Sequence, residues 1–118
     1  MTRAHGLSRD ERLRAKAGFD RVFQEGKRVR AQWMAVRYAP NGLAHARLGI
    51  ALRRGWRSAV ARNRAKRLIR EAFRTHKHEL PSGVDIVVVP ATNWQEPRVA
   101  EIAAELARLL RAAAECDR

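Results

Sequence analysis

The residues most able to do chemistry in this chain lie between Ser58 and Arg74, in the stretch SAVARNRAKRLIREAFR. Seventeen residues hold five arginines and one lysine. At about 100° per residue on a helix, Ala61, Ala65, Leu68, Ile69, Ala72 and Phe73 share one arc. Asn63, Lys66, Arg67, Arg70 and Arg74 fall on the opposite arc, with Arg62 and Arg64 at its flanks. Asn63, Arg67, Arg70 and Arg74 run i, i+4, i+7, i+11 along it. Cations at this spacing repel by a few tenths of a kcal/mol per pair, and Glu71 is the only carboxylate among them. A helix gains by tolerating that repulsion when a polyanion covers the face, and a guanidinium fork matches phosphate geometry. Asn63 adds a donor and an acceptor, enough to meet a base edge or a ribose hydroxyl and a phosphate together. The alternative is a solvated basic face, but solubility is served by mixed signs and this stripe has nearly one sign.

Catalytic groups are scarce by contrast. A protein nuclease working through two metals needs clustered carboxylates or histidines. Asp85, Glu71, His76 and His78 are the candidates, and His76 and His78 at i, i+2 do not share a helix face. No G-x-x-x-x-G-K loop is present. Cys116 is the only cysteine, which excludes an intrachain disulfide and a cysteine-based zinc site. No metal ligand set is expected in the protein.

Composition points the same way as the basic stretch. The 118 residues suit one domain and carry a formal net charge of +13. The charge is uneven: residues 1–77 have net +16 and residues 78–118 net −3. Arginine outnumbers lysine 21 to 4, a bias toward phosphate recognition that a GC-rich genome would also produce. Nucleic acid is the leading partner and an anionic membrane the rival. The longest run of strongly apolar residues is Ile86–Val89, and the N-terminus lacks a signal-like apolar region, so a cytoplasmic location is expected.

The elements that must hold the basic stretch follow from periodicity. Residues 1–14 read as a basic, extended segment. Ala15–Gly26 reads as a helix, with Phe19, Val22 and Phe23 on one face and Gly26 suited to C′; Ser8 and Glu11 could form a capping box that starts it earlier. Val29–Pro40 predicts one strand or two short ones, closed by a turn at Pro40–Gly42. Ala46–Leu52 alternates as a half-buried strand, with Leu48, Ile50 and Leu52 on one side. Ser58 is a plausible N-cap for the basic helix. Val84–Val89 predicts a strand, and Pro97 can start a last helix with a stripe of Val99, Ile102, Ala103, Leu106, Leu110 and Ala113. The order is helix, strands, helix, strand, helix: an α/β sandwich, α+β in its segregation of helices on a small central sheet.

Four segments, in order, resemble the protein subunit of bacterial ribonuclease P. ARNRAKRLIREAFR is similar to that family's signature helix, with Arg62, Asn63 and Arg64 as its Arg-Asn-Arg core. FDRVFQEGK, RLGIAL and ELPSGVDIVVVP resemble its first helix, its Arg-Val-Gly-Ile strand and its later turn and strand. The resemblance spans roughly Leu13 to Leu110. It implies a two-layer fold like a ribosomal-protein domain, with a left-handed βαβ crossover where general rules favour a right-handed one. It places a single domain at residues 15–114, with a tail at 115–118.

The function it implies is assistance to a catalytic RNA that removes the 5′ leader of precursor tRNA, with magnesium bound by the RNA subunit and no cofactor on the protein alone. Arg53, Arg54, Arg62, Asn63, Arg64, Lys66, Arg67, Arg70 and Arg74 would face the RNA subunit. Phe19, Phe23, Trp33, Ala35 and Arg37 would line a cleft for the single-stranded leader, where aromatic faces in a positive groove bind without base-specific contacts. From the residues alone, Phe19, Val22 and Phe23 read first as core packing. The sequence departs from the family at Arg53–Ser58, where Trp56 stands in place of a small or aliphatic residue and Arg57 in place of glycine or lysine, and at Arg37, where an aromatic is common and Tyr38 can serve instead. A ribosomal or generic RNA-binding protein of related fold is the alternative reading.

Overall fold

A computed structural model of the chain, describing residues 9–31, 33–95 and 97–116, contains three α-helices and four strands. In chain order they are α1 (Lys16–Glu25), β1 (Lys27–Arg30), β2 (Met34–Pro40), β3 (Arg47–Ile50), α2 (Ala59–His76), β4 (Val84–Pro90) and α3 (Val99–Cys116). The four strands form one mixed sheet in the order β1-β2-β4-β3. The β1–β2 and β2–β4 pairs are antiparallel; β3 and β4 are parallel and bridged by α2, which makes the βαβ unit. This is the α+β sandwich that the element order implies.

Strand alternation sends two apolar sets to opposite faces of the sheet. Met34, Val36, Leu48, Ile86 and Val88 join Ala65, Ile69, Ala72 and Phe73 of α2 and Ile102, Leu106 and Leu110 of α3 in the main core. On the other face Ala39 and Val87 meet Val22 of α1, Leu13 and the half-buried Phe19. Helices therefore lie on both faces, with α1 alone on one side, so the two-layer expectation of α2 and α3 on the sheet gains α1 as a thin third layer. The strand expected to be half-buried is covered on both sides for this reason. A Cβ at Gly49 would stand 2.6 Å from Phe19 Cζ, so the glycine makes room for the Phe19 ring against β3.

Local chemistry sets the helix ends. Ser58 accepts a hydrogen bond from Ala61 N at 3.2 Å, the expected N-cap of α2. At α3, which begins at Val99, the backbone N of Arg98 donates to Glu101 Oε1 at 2.9 Å, and Pro97 lies two residues before the helix instead of in its first position. Gly26 ends α1 with φ −79°, in extended and not left-handed backbone. Glycine is required there by close approach: a Cβ would lie 2.3 Å from the Val22 carbonyl oxygen and 2.7 Å from that of Tyr38. The 29–40 region resolves into two strands, with Ala31 N bonded to Met34 O at 2.8 Å across the break. Ser8 of the possible capping box lies outside the described residues, as does the Ala113 side chain of the α3 stripe. The segment expected to be extended forms a 3₁₀ turn at Arg9–Glu11, and then Leu13 N bonds Leu48 O along the edge of β3.

The departures at Trp56 and Arg57 have a structural account. Trp56 is buried, and its Nε1 donates to the Ala91 carbonyl at 3.2 Å. Arg57 takes a left-handed φ of 49°, lies over the Trp56 ring and donates to the Thr92 carbonyl at 3.0 Å. These contacts fasten the β3–α2 connection to the exit of β4, offsetting a backbone conformation that costs on the order of 1 kcal/mol for a non-glycine residue.

Candidate nucleic-acid interface

Because α2 presses Ala65, Ile69, Ala72 and Phe73 into the core, its other face must look outward. Asn63, Arg64 and Arg67 are exposed; Arg62, Lys66, Arg70 and Arg74 are half-buried at the margins. Glu71 accepts from Arg74, one turn along. The basic surface continues onto the N-terminal segment. Burial pushes the Arg70 guanidinium below its ordinary pKa, and the nearby Arg12 cation pushes it further. The buried Nε atoms of Arg12 and Arg74 have no hydrogen-bond partner. Lys77 bonds Glu11 at 2.6 Å and so ties this segment to the end of α2.

A second positive surface lies at the ends of the strands, beside α1. It is a cleft of about 550 Å³ bounded by Phe23 of α1, Arg28 and Arg30 of β1, Ala35 and Arg37 of β2, and Arg53 beyond β3. None of the residues lining it is acidic. Phe23 is 38% exposed, and the Arg37 guanidinium sits 5.1 Å from its ring centre while donating to the Phe23 carbonyl at 3.2 Å.

The structure brings Phe23, Ala35 and Arg37 together in this cleft. Phe19, one turn earlier on α1, packs down on Gly49 and the sheet. Trp33 is directed elsewhere: its ring meets Trp94 edge-on at 5.5 Å and it packs on the main core. Arg53 belongs to the cleft wall, and Arg54 is exposed in the loop before α2. Three cations were not singled out from sequence: Arg12, Arg28 and Arg30. The alternation of KRVR in β1 was the available signal for the last two.

Asp85 anchors this arrangement. It is fully buried; Oδ1 accepts from Arg47 Nε at 2.7 Å and Asn41 Nδ2 at 3.0 Å, and Oδ2 accepts from Arg47 Nη2 and Arg21 Nη2, both at 2.7 Å. Arg21 also donates to the Pro40 carbonyl at 2.8 Å. Burial pushes the Asp85 carboxyl up, but the bonds from Arg47, Asn41 and Arg21 outweigh it and hold the group below its ordinary value.

An α+β fold with a predominantly cationic helix and a cationic cleft defines a polyanion-binding protein. The ribonuclease P family matches residues 7–114. The ribonuclease P protein component of Thermotoga maritima is 42% identical over 90 residues, covering 76% of this chain and 77% of that one. The Methylococcus capsulatus component is 44% identical over 89 residues, covering 75% and 69%. Among solved structures, the T. maritima protein superposes with a TM-score of 0.76 at 35% identity, covering 86% of this chain and 96% of that one. A Staphylococcus aureus ribonuclease P protein, a mutant described as defective in mRNA degradation activity, gives 0.77 at 30% identity, covering 89% of each. The chain belongs to the ribonuclease P protein family, whose members are components of the ribonucleoprotein endonuclease of tRNA processing.

Proposed function

We propose that this chain binds the catalytic RNA of ribonuclease P through α2 and holds the single-stranded 5′ leader of precursor tRNA in the cleft beside α1. The observation that carries the reading is that two cationic surfaces stand apart on one small sheet. One is a helix whose exposed face is basic; the other is a groove with one exposed aromatic ring. A duplex-rich RNA suits the first and a flexible strand the second. The protein screens repulsion between catalytic RNA and substrate, which lowers the magnesium requirement of a reaction carried out by the RNA in the cytoplasm.

The helix is tested by Arg67→Ala/Arg70→Ala. Removing each phosphate partner should reduce the log–log salt slope of RNA-subunit binding by roughly 0.7–0.9. Folding should hold, since neither side chain belongs to the hydrophobic core. An unchanged slope would remove α2 from the interface. The cleft is tested by Phe23→Ala. Affinity for leader-bearing precursor should fall by about 1–3 kcal/mol more than affinity for mature tRNA, the worth of one stacked base. A variant that only melts earlier and still discriminates would make Phe23 a packing residue.

A second reading, a nuclease activity of the protein itself, is prompted by the mRNA degradation activity ascribed to the S. aureus relative. The side chains here argue against metal-dependent hydrolysis. Among the described residues no three His, Cys, Asp or Glu converge as a metal site. Asp85, the one candidate carboxylate in a strand, already accepts four hydrogen bonds.

A further inference from the structure

The β1–β2 register sets Arg28 directly opposite Arg37, and Arg30 opposite Ala35. Arg28, Arg30 and Arg37 all line the cleft. Directly opposed side chains on antiparallel strands have Cβ atoms about 4.5–5.5 Å apart, and like charges there destabilise the sheet. No carboxylate relieves them: Arg28, Arg30 and Arg53 take part in no ion pair among the described residues, and Arg37 is turned toward Phe23. β1 is an edge strand, so Arg28 and Arg30 lie on the rim farthest from β3. From β1 to β3 the sheet crosses three inter-strand spacings, roughly 14 Å at ~4.8 Å each. Cations are thus spread along the whole cleft, whereas its exposed aromatic ring is Phe23 alone.

We infer that Arg28 and Arg30 form a phosphate-gripping extension of the cleft along β1, which holds the single-stranded leader by its backbone beyond the nucleotide that meets Phe23. This rests on the leader-cleft reading above. The opposed pair Arg28–Arg37 is a site pre-charged for a phosphate, because a bound oxyanion removes the repulsion that the empty register imposes. Recognition by this extension is indifferent to base identity and steep in salt.

The test uses holoenzyme reconstituted with a bacterial ribonuclease P RNA, and precursor tRNAs whose leaders are shortened stepwise to none. Arg28→Gln/Arg30→Gln should cost roughly tenfold in affinity for long-leader precursor, as two exposed ion pairs would. The salt slope should fall by about 0.7 for each single-strand phosphate that is no longer neutralised. The deficit should vanish with short leaders and with mature tRNA, and the variant should melt no lower than the parent. Arg98→Gln/Arg111→Gln removes the same charge from exposed positions just before and within α3 and should leave the slope as it is. Equal losses for precursor and mature tRNA, an unchanged slope, or an equal effect of the α3 variant would overturn the inference while wild-type protein still prefers precursor. If wild-type holoenzyme itself shows no dependence on leader length, the leader-cleft reading falls and the extension with it.

Discussion

Asp85→Ala should be among the most destabilising single substitutions in this protein, at about 3 kcal/mol. Removing one partner of a buried ion pair costs about 3–5 kcal/mol, because the remaining charge is left without compensation. Arg21 and Arg47 are each 31% exposed and can turn partly to water, which places the expected loss at the low end. For a domain of this size that lowers Tm by roughly 10 °C. Asp85→Asn should do nearly as much harm, because its amide group sets donors against guanidinium donors. Arg21→Met removes only the tie between α1 and the sheet, so its cost should be smaller and its effect concentrated on the cleft. The pH dependence has a definite sign. A carboxyl held below its ordinary value of 3.8 stabilises the fold fully above that pH, and the contribution is lost as pH falls through the depressed folded value. Wild type should therefore lose stability in acid more steeply than Asp85→Ala. A thermal melt of Asp85→Ala matching wild type at neutral pH would show that the four hydrogen bonds contribute nothing net.

Where one physical rule decided a feature, the sequence showed it plainly. The 3.6-residue period of the basic stretch separated Ala65, Ile69, Ala72 and Phe73 from Asn63 and Arg67, and Ser58 marked its start. The two-residue period of Ala46–Leu52 separated Leu48 and Ile50 from Gly49, and the structure sets the first side against α2 and the second against α1. Features made by tertiary contact were less visible. Gly26 reads as a left-handed cap in sequence, yet its reason is the close approach of two carbonyls, that of Val22 in its own helix and that of Tyr38, twelve positions along the chain. Trp33 and Phe19 are aromatic residues near a cleft, but which way each ring turns depends on Trp94 and Gly49. The repulsion between Arg28 and Arg37 exists only in the β1–β2 register, which is fixed by where the break after Ala31 falls. Asp85 reads as a lone acid in an apolar strand until Arg21, Asn41 and Arg47 arrive from three other places in the chain.

The protein alone should leave precursor tRNA uncut, and the largest effect in the system should appear when it joins the RNA subunit at low magnesium. Phosphodiester hydrolysis needs an activated water and stabilised leaving-group charge, commonly from metals held by several carboxylates. Residues 1–77 contain only Asp10, Glu11, Asp20, Glu25 and Glu71 as acids, and those with assigned partners are committed to cations: Glu11 to Lys77, Asp20 to Lys16 and Glu71 to Arg74. The net +16 of that region repels a divalent ion until phosphates neutralise it. On the proposed reading, the same charge set between two RNAs would replace part of the cation atmosphere that bringing them together otherwise demands. Cleavage is compared for protein alone, for RNA alone at high magnesium, and for the mixture at low magnesium. The expected pattern is none, some, and much, with a lower apparent KM in the mixture for substrates that carry a leader. Cleavage by the protein alone, surviving micrococcal nuclease treatment to remove contaminating RNA, would overturn the assignment of catalysis to the RNA and move the chemistry onto the protein.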